Sequence, residues 1–402
     1  MKYLKRFCLL LILIISLAFF SSCSIISRLG FDTGSSTKTI TSNDVSTTPV
    51  IISSDISTTT STTISSSSTT VVTTTTPLDE DDLVTELDYG YGYDLKKYDN
   101  YKDLQDLYLV IKDKIDKFTL STEDVTSQVV RIDDVDSEYY FFDSIDFLKY
   151  NIESNMALMV LKNVLLDHPE YYFMDNSFIT SLSKTDDVIT SQNIKLSINK
   201  DYALGAKRIE YNQKIKEFED DCFKDFTTET TNKEKIKHIH DYILSKAEYA
   251  LDEHNKPEES SYAHNIIGII ANGRGVCESY AELFTYLLKK CGISALTVSG
   301  LGFTSDEKHG GAHAWNYVYI DSKYYGFDVT WNDTAHTNHY YGMSNTELIN
   351  ITNTNEVINN NQEASFLNPL YGGHLASGSN FENGINYLYQ LPEVSSVPLI
   401  TL

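Results

Sequence analysis

Asn272-Gly273-Arg274-Gly275-Val276-Cys277-Glu278-Ser279-Tyr280-Ala281 is the stretch that decides how this chain reads. Two glycines interrupt the chain just before the cysteine. Tyr280, Phe284, Leu287 and Leu288 then recur at helical spacing until Gly292 closes the run. The pattern predicts a helix that begins at or beside Cys277. A helix start offers partial positive charge and unpaired backbone N–H groups, which favour a thiolate and can hold a developing oxyanion.

Working outward, residues 295–300, 312–320 and 323–331 read as strands, and residues 302–311 as a polar loop. Asp321-Ser322 predicts a two-residue hairpin turn, which sets Ile320 opposite Lys323. Carried along both strands, that register puts His313 opposite Thr330, with Asp328 as its diagonal neighbour on the same face. Trp315 shares this face and is expected to shield an Asp–His hydrogen bond from water. A thiol, an imidazole and a carboxylate in this order suit a nucleophile, its base and the group that orients the base. Each has a plainer use when taken alone: packing for a cysteine at a helix start, a satisfied surface position for a strand histidine.

Three stretches together resemble the transglutaminase-like superfamily, a papain-like cysteine fold. They are the Cys277 segment, His313-Ala314-Trp315-Asn316-Tyr317-Val318 and Tyr325-Gly326-Phe327-Asp328-Val329-Thr330-Trp331. The similarity covers about residues 233–350 and includes His240-Asp241-Tyr242-Ile243 and Tyr249 ahead of the cysteine. Ser279 stands where glycine is commoner in bacterial members. The resemblance implies Cys277 as nucleophile, His313 as base and Asp328 as orienting acid. It also implies an α+β fold, with the cysteine helix packed on an antiparallel sheet, and attack on an amide through a thioester. The acyl group then passes to water or to an amine, with hydrolysis slightly favoured. A surface module without turnover is the reading from another functional class. No cofactor is implied. His264, Trp315 and Trp331 are further candidates for the oxyanion site or the pocket wall, with packing the plainer role for Trp331. His238/His240 and His336/His339 lack the cysteine or carboxylate partners of a metal site.

The ends of the chain read differently. Lys2, Lys5 and Arg6 precede an apolar run to Phe20, then Ser21-Ser22-Cys23, the pattern of an export signal of lipoprotein type. Residues 1–22 are expected to be this signal, with Cys23 lipidated, so that the protein sits on the extracellular face of the cell membrane. Residues 23–77 are rich in serine and threonine and are expected to be a flexible tether, because they hold too little apolar surface to offset ordering entropy. Residues 78–230 form a mainly helical accessory region, which loosely resembles one found in exported bacterial members and carries Asp167-His168-Pro169-Glu170. Residues 231–350 form the catalytic domain, and residues 351–402 an Asn-rich extension packed on it.

The chain has 402 residues, with 32 Lys and Arg against 56 Asp and Glu, a net charge of −24. It has no basic stripe to displace counterions from nucleic acid, and its charge opposes contact of the folded part with an anionic membrane. The acidic balance is compatible with cationic partners such as lysine-rich peptides, and protein or peptide substrates are what the resemblance implies. With Cys8 and Cys23 assigned to the leader, Cys222, Cys277 and Cys291 are left, an odd number that points to a thiol with a task. A Cys277–Cys291 disulfide is excluded if one helix joins them. At ~1.5 Å per residue they lie roughly 21 Å apart, against a limit of about 7 Å.

Overall fold

The computed structural model describes residues 39–41, 90–132 apart from 92–94 and 97, 135–376 apart from 151, 176–178 and 186–187, and 391–399. The export signal and Cys23 lie outside the described residues, as does the tether except for Thr39–Thr41. In chain order the elements are β1 (Thr39–Thr41), α1 (Tyr101–Thr119), β2 (Gln128–Ile132), β3 (Val135–Asp146) and α2 (Ser154–Asp167). Next come β4 (Ile179–Thr185), β5 (Val188–Ile198), α3 (Gly205–Phe223), α4 (Asn232–Lys246), β6 (Glu248–Tyr249), α5 (Ile266–Asn272) and β7 (Arg274–Gly275). The rest are α6 (Cys277–Lys290), β8 (Ala295–Phe303), β9 (Gly311–Ile320), β10 (Lys323–Phe327), α7 (Val329–Thr334), β11 (Tyr341–Met343), α8 (Asn345–Ile349), α9 (Thr354–Asn360) and β12 (Gly373–Ala376). The fold class is α+β.

Two five-stranded sheets organise the chain, with strand orders β1-β4-β5-β3-β2 and β11-β10-β9-β8-β12. The second sheet carries the candidate site, and all of its pairings are antiparallel. Its central hairpin follows the expected register, from Lys323 opposite Ile320 to Phe327 opposite Asn316. Asp321 and Ser322 both take the left-handed conformation (φ 50° and 65°), as a tight hairpin turn demands.

The expectation that this second strand runs on to residue 331 is corrected here. β10 stops at Phe327, and Val329–Thr334 form the short helix α7 with Asp328 as its N-cap. Asp328 Oδ1 accepts the backbone N–H of Trp331 at 2.9 Å. Aspartate is among the favoured capping residues, and this local bond outcompetes strand pairing. His313 therefore has no strand partner at Thr330, and Asp328 reaches it from a helix cap. The lead-in helix α4 is capped by Thr231. The Thr231 side chain and Glu234 form a reciprocal capping box.

α6 is tied to the sheet by buried polar and apolar contacts. Tyr280, Leu283, Phe284, Leu287 and Leu288 are all fully buried, and each such large side chain is worth about 1.5–3 kcal/mol on burial. Asn316 of β9 donates to Ala281 O at 2.8 Å and to Thr285 Oγ1 at 2.9 Å, which fixes the helix against the strand. The same apolar core continues into the earlier segment, joining Leu104, Leu107 and Ile111 of α1, Val160 and Val164 of α2, and Phe284 and Leu287 of α6. Asp167 adds a polar tie. Its carboxylate accepts from Tyr91 N and Tyr108 OH, and its carbonyl accepts from Lys289 at the end of α6.

Candidate active site

Cys277 is the first residue of α6 and is almost fully buried. The loop before it is shaped by close approach. A Cβ at Gly275 would lie 2.4 Å from the Cβ of Ser279, so only glycine lets the chain enter the helix along this path. Gly275 O accepts Ala250 N–H at 2.9 Å, which pins the loop to the strand after α4. The chemistry considered below is that of the Cys277 thiol. Cys222 and Cys291 are free, in keeping with the exclusion of a Cys277–Cys291 pair.

Cys277 packs against Ala281, Ala314 and Ala312, the last two being the chain neighbours of His313. His313 Nε2 lies 2.7 Å from Asp328 Oδ2, and both side chains are buried. With Nε2–H donating to the carboxylate, Nδ1 carries the lone pair that a base requires. Burial opposes a charge on Asp328. The nearby His313, then the hydrogen bonds of His313 and His374, outweigh it and hold the carboxyl below the ordinary carboxylate range.

Trp331 does more than fill the core. Its ring lies face-on to His313, with centroids 4.6 Å apart and planes 16° from parallel. A Cβ at Gly302 of β8 would come within 2.9 Å of the Trp331 ring and 3.0 Å of the His313 Cβ. The absent side chain is what allows the stack to sit against the strand. Trp315 is also buried, its ring 6.1 Å from that of His313, so it screens the pair without touching its polar edge. His264 is buried as well. Its Nδ1 pairs with the carboxylate of Glu278, both buried, behind the first turn of α6. His240 is buried too, and its Nε2 meets Asn332 of α7 at 2.9 Å, a link between the lead-in helix and the acid-bearing segment.

One residue of the site escaped the sequence reading. His374 lies on β12, the edge strand added to β8, with Leu375 opposite Leu301. Its Nε2 is 2.9 Å from Asp328 Oδ2, and its Nδ1 is 3.1 Å from the Leu348 carbonyl oxygen. The ring is wedged beside Trp331 and Trp315, with centroids 4.3 Å and 4.9 Å away. Only a four-residue Gly-His-Leu-Ala strand marks it in the sequence, too short for an alternation to stand out.

His313, Asp328 and His374 bring three atoms of metal-ligand type within 4.8 Å of one another. Their spacing is that of hydrogen bonds. Ligands bonded at ~2.0–2.1 Å in a tetrahedral site stand about 3.3 Å apart, wider than the 2.7 and 2.9 Å found here.

Residues 221–329 match the model of the transglutaminase-like superfamily. The chain thus carries a transglutaminase-like domain, and Cys277, His313 and Asp328 all fall within it. Among curated proteins it is similar to the kyphoscoliosis peptidases of Homo sapiens (28% identical over 107 residues, 25% of this chain) and Mus musculus (28% over 104 residues, 24% of this chain). It spans only 16% and 15% of the length of these two relatives. Among solved structures it is similar to a TGase (13% identity, TM-score 0.27, 39% of this chain and 52% of that one). It is also similar to the periplasmic domain of TgpA from Pseudomonas aeruginosa (14% identity, TM-score 0.24, 37% of this chain and 59% of that one).

Proposed function

We propose that this protein is a thiol enzyme that acts on protein or peptide amides through a thioester, with Cys277, His313 and Asp328 as its triad. The observation that carries this reading is the buried His313–Asp328 hydrogen bond of 2.7 Å, on the strand whose flanking alanines pack on Cys277 at the start of a helix. His313 Nδ1 takes the thiol proton, and the resulting thiolate attacks the amide carbonyl. Backbone N–H groups of the first turn of α6 face the negative oxygen that forms. As the C–N bond breaks, His313 returns the proton to the departing nitrogen, leaving a thioester on Cys277. His313 then removes a proton from the acceptor, whose attack on the thioester frees the thiolate.

Water as acceptor makes the protein a peptidase or amidase, and a primary amine makes it a cross-linking enzyme. Hydrolysis is the favoured branch, and the peptidase relatives support it. The leader sequence supports export and attachment to the outer face of the membrane through lipid on Cys23, with residues 23–77 as spacer. Among the described residues no helix is long and apolar enough to cross a membrane.

The test is incubation of the reduced protein with a glutamine-containing peptide, with and without a labelled primary amine. Ammonia release without amine incorporation marks hydrolysis, and label in the peptide marks transfer. Cys277→Ala should abolish either outcome. A Cys277→Ala protein that turned substrate over at the wild-type rate would end the enzyme reading in favour of a binding module.

A further inference from the structure

Asp328 has two imidazole neighbours, whereas a triad requires one. Oδ2 faces His313 Nε2 at 2.7 Å and His374 Nε2 at 2.9 Å, while Oδ1 is occupied by the Trp331 N–H. His374 Nδ1 faces a backbone carbonyl, which can only accept. The two ring nitrogens of His374 thus meet a carbonyl and a carboxylate, and both contacts need a proton. Nδ1–H serves Leu348. The contact with Asp328 then holds one proton more than a neutral imidazole and an ionised carboxylate supply between them. Burial pulls the ring's hold on a second proton down and prevails over the hydrogen bond and charge of Asp328, so it is the geometry of the two contacts that calls for the proton.

We propose that His374 is a positioning residue that shares a proton with Asp328, so that the pair is electrically neutral and sets how strongly His313 holds its own proton. This rests on the triad reading above. With Asp328 ionised, the proton sits on His374, so that an imidazolium faces a carboxylate and the pair has no net charge. His313 Nε2–H still donates to Oδ2, so its orientation is kept. What changes is the field at the base, since a bare carboxylate would stabilise the imidazolium form of His313 more strongly than the neutral pair does. His374 thereby trades strength of the base for a proton that leaves more readily.

Other groups face this cluster and stay constant in the comparison. Tyr340 and His339 approach His374 from the segment before β11. Glu307 of the β8–β9 loop acts on His313, and Tyr249 senses Asp328.

The test uses His374→Gln in the reduced full-length chain. Glutamine can still donate to Oδ2 but cannot carry charge. The readout is the rate of Cys277 alkylation by iodoacetamide against pH, followed by peptide mass spectrometry, which needs no known substrate. His374→Gln should move the upper step of that profile, where His313 gives up its proton, to higher pH. An added unit charge 5.6 Å from the ring gives a shift of roughly 2 pH units at an effective dielectric near 20. A purely structural role would lower the melting temperature and leave the step in place, which would overturn the proposal. If the variant does not fold, nitrogen NMR of histidines in the wild-type protein decides. A His374 ring protonated on Nε2 as well as Nδ1 at neutral pH supports the shared proton, and a ring protonated on one nitrogen only overturns it. A wild-type profile with the single step of an ordinary thiol would instead sink the triad itself, so the two failures are distinguishable.

Discussion

Asp328→Asn separates a wired triad from three polar neighbours that happen to meet. Asparagine keeps the size of the side chain and the carbonyl that caps Trp331 N–H, now at 2.9 Å, so α7 should still form. It replaces the second acceptor with an NH2 group that only donates. His313, 2.7 Å away, must then accept through Nε2, which moves its proton to Nδ1. The atom needed as base is thereby blocked. Loss of one hydrogen bond to an ionised group costs about 1.5–3 kcal/mol, a factor of roughly 10–150. The wrong tautomer in a triad raises the loss to about 10⁴. We therefore expect alkylation of reduced Cys277 near pH 6.5 to slow by at least ~10-fold, and amide turnover by about 10³–10⁴. The acid limb of stability changes as well. A depressed carboxyl contributes stability that is in place above the unfolded value near 3.9 and is lost as pH falls through the folded one. The asparagine variant should lack that contribution. A folded Asp328→Asn protein within threefold of wild type in both rates would refute the assignment of Asp328 as the orienting group.

Two further outcomes follow from the same neighbourhood. Trp331→Ala empties a buried site against the His313 ring and should cost about 3–5 kcal/mol in denaturant unfolding; Trp331→Phe, which keeps a face for His313, should recover more than half. Glu307 has one buried carboxylate oxygen with no hydrogen-bond partner, and burial moves its carboxyl up from 4.5 to about 7. Its folded form is thus protonated more readily than its unfolded form, so stability is highest below the unfolded value and is lost as pH rises through 7. Glu307→Gln should raise the melting temperature at pH 8 and match wild type at pH 4, and equal gains at both would refute this.

Local signals were enough for the helix that starts at Cys277, because two glycines and a repeating apolar stripe depend on neighbours within one turn. They were enough for the hairpin too, since a two-residue turn fixes pairing along both strands until something stops it. The stop was misjudged at Asp328. Its side chain prefers capping Trp331 to lying in a strand, a signal present in the Asp-Val-Thr-Trp string.

The sequence by itself determined the helix that starts at Cys277 and the hairpin register, because each follows from periodicity or turn chemistry over a few residues, while the α+β class was what the family resemblance implied. Only the tertiary structure decided that Asp328 serves two histidines. β12 reaches β8 across some 70 residues of chain to bring His374 in, and no local pattern encodes a contact whose partner is chosen by the folded sheet edge.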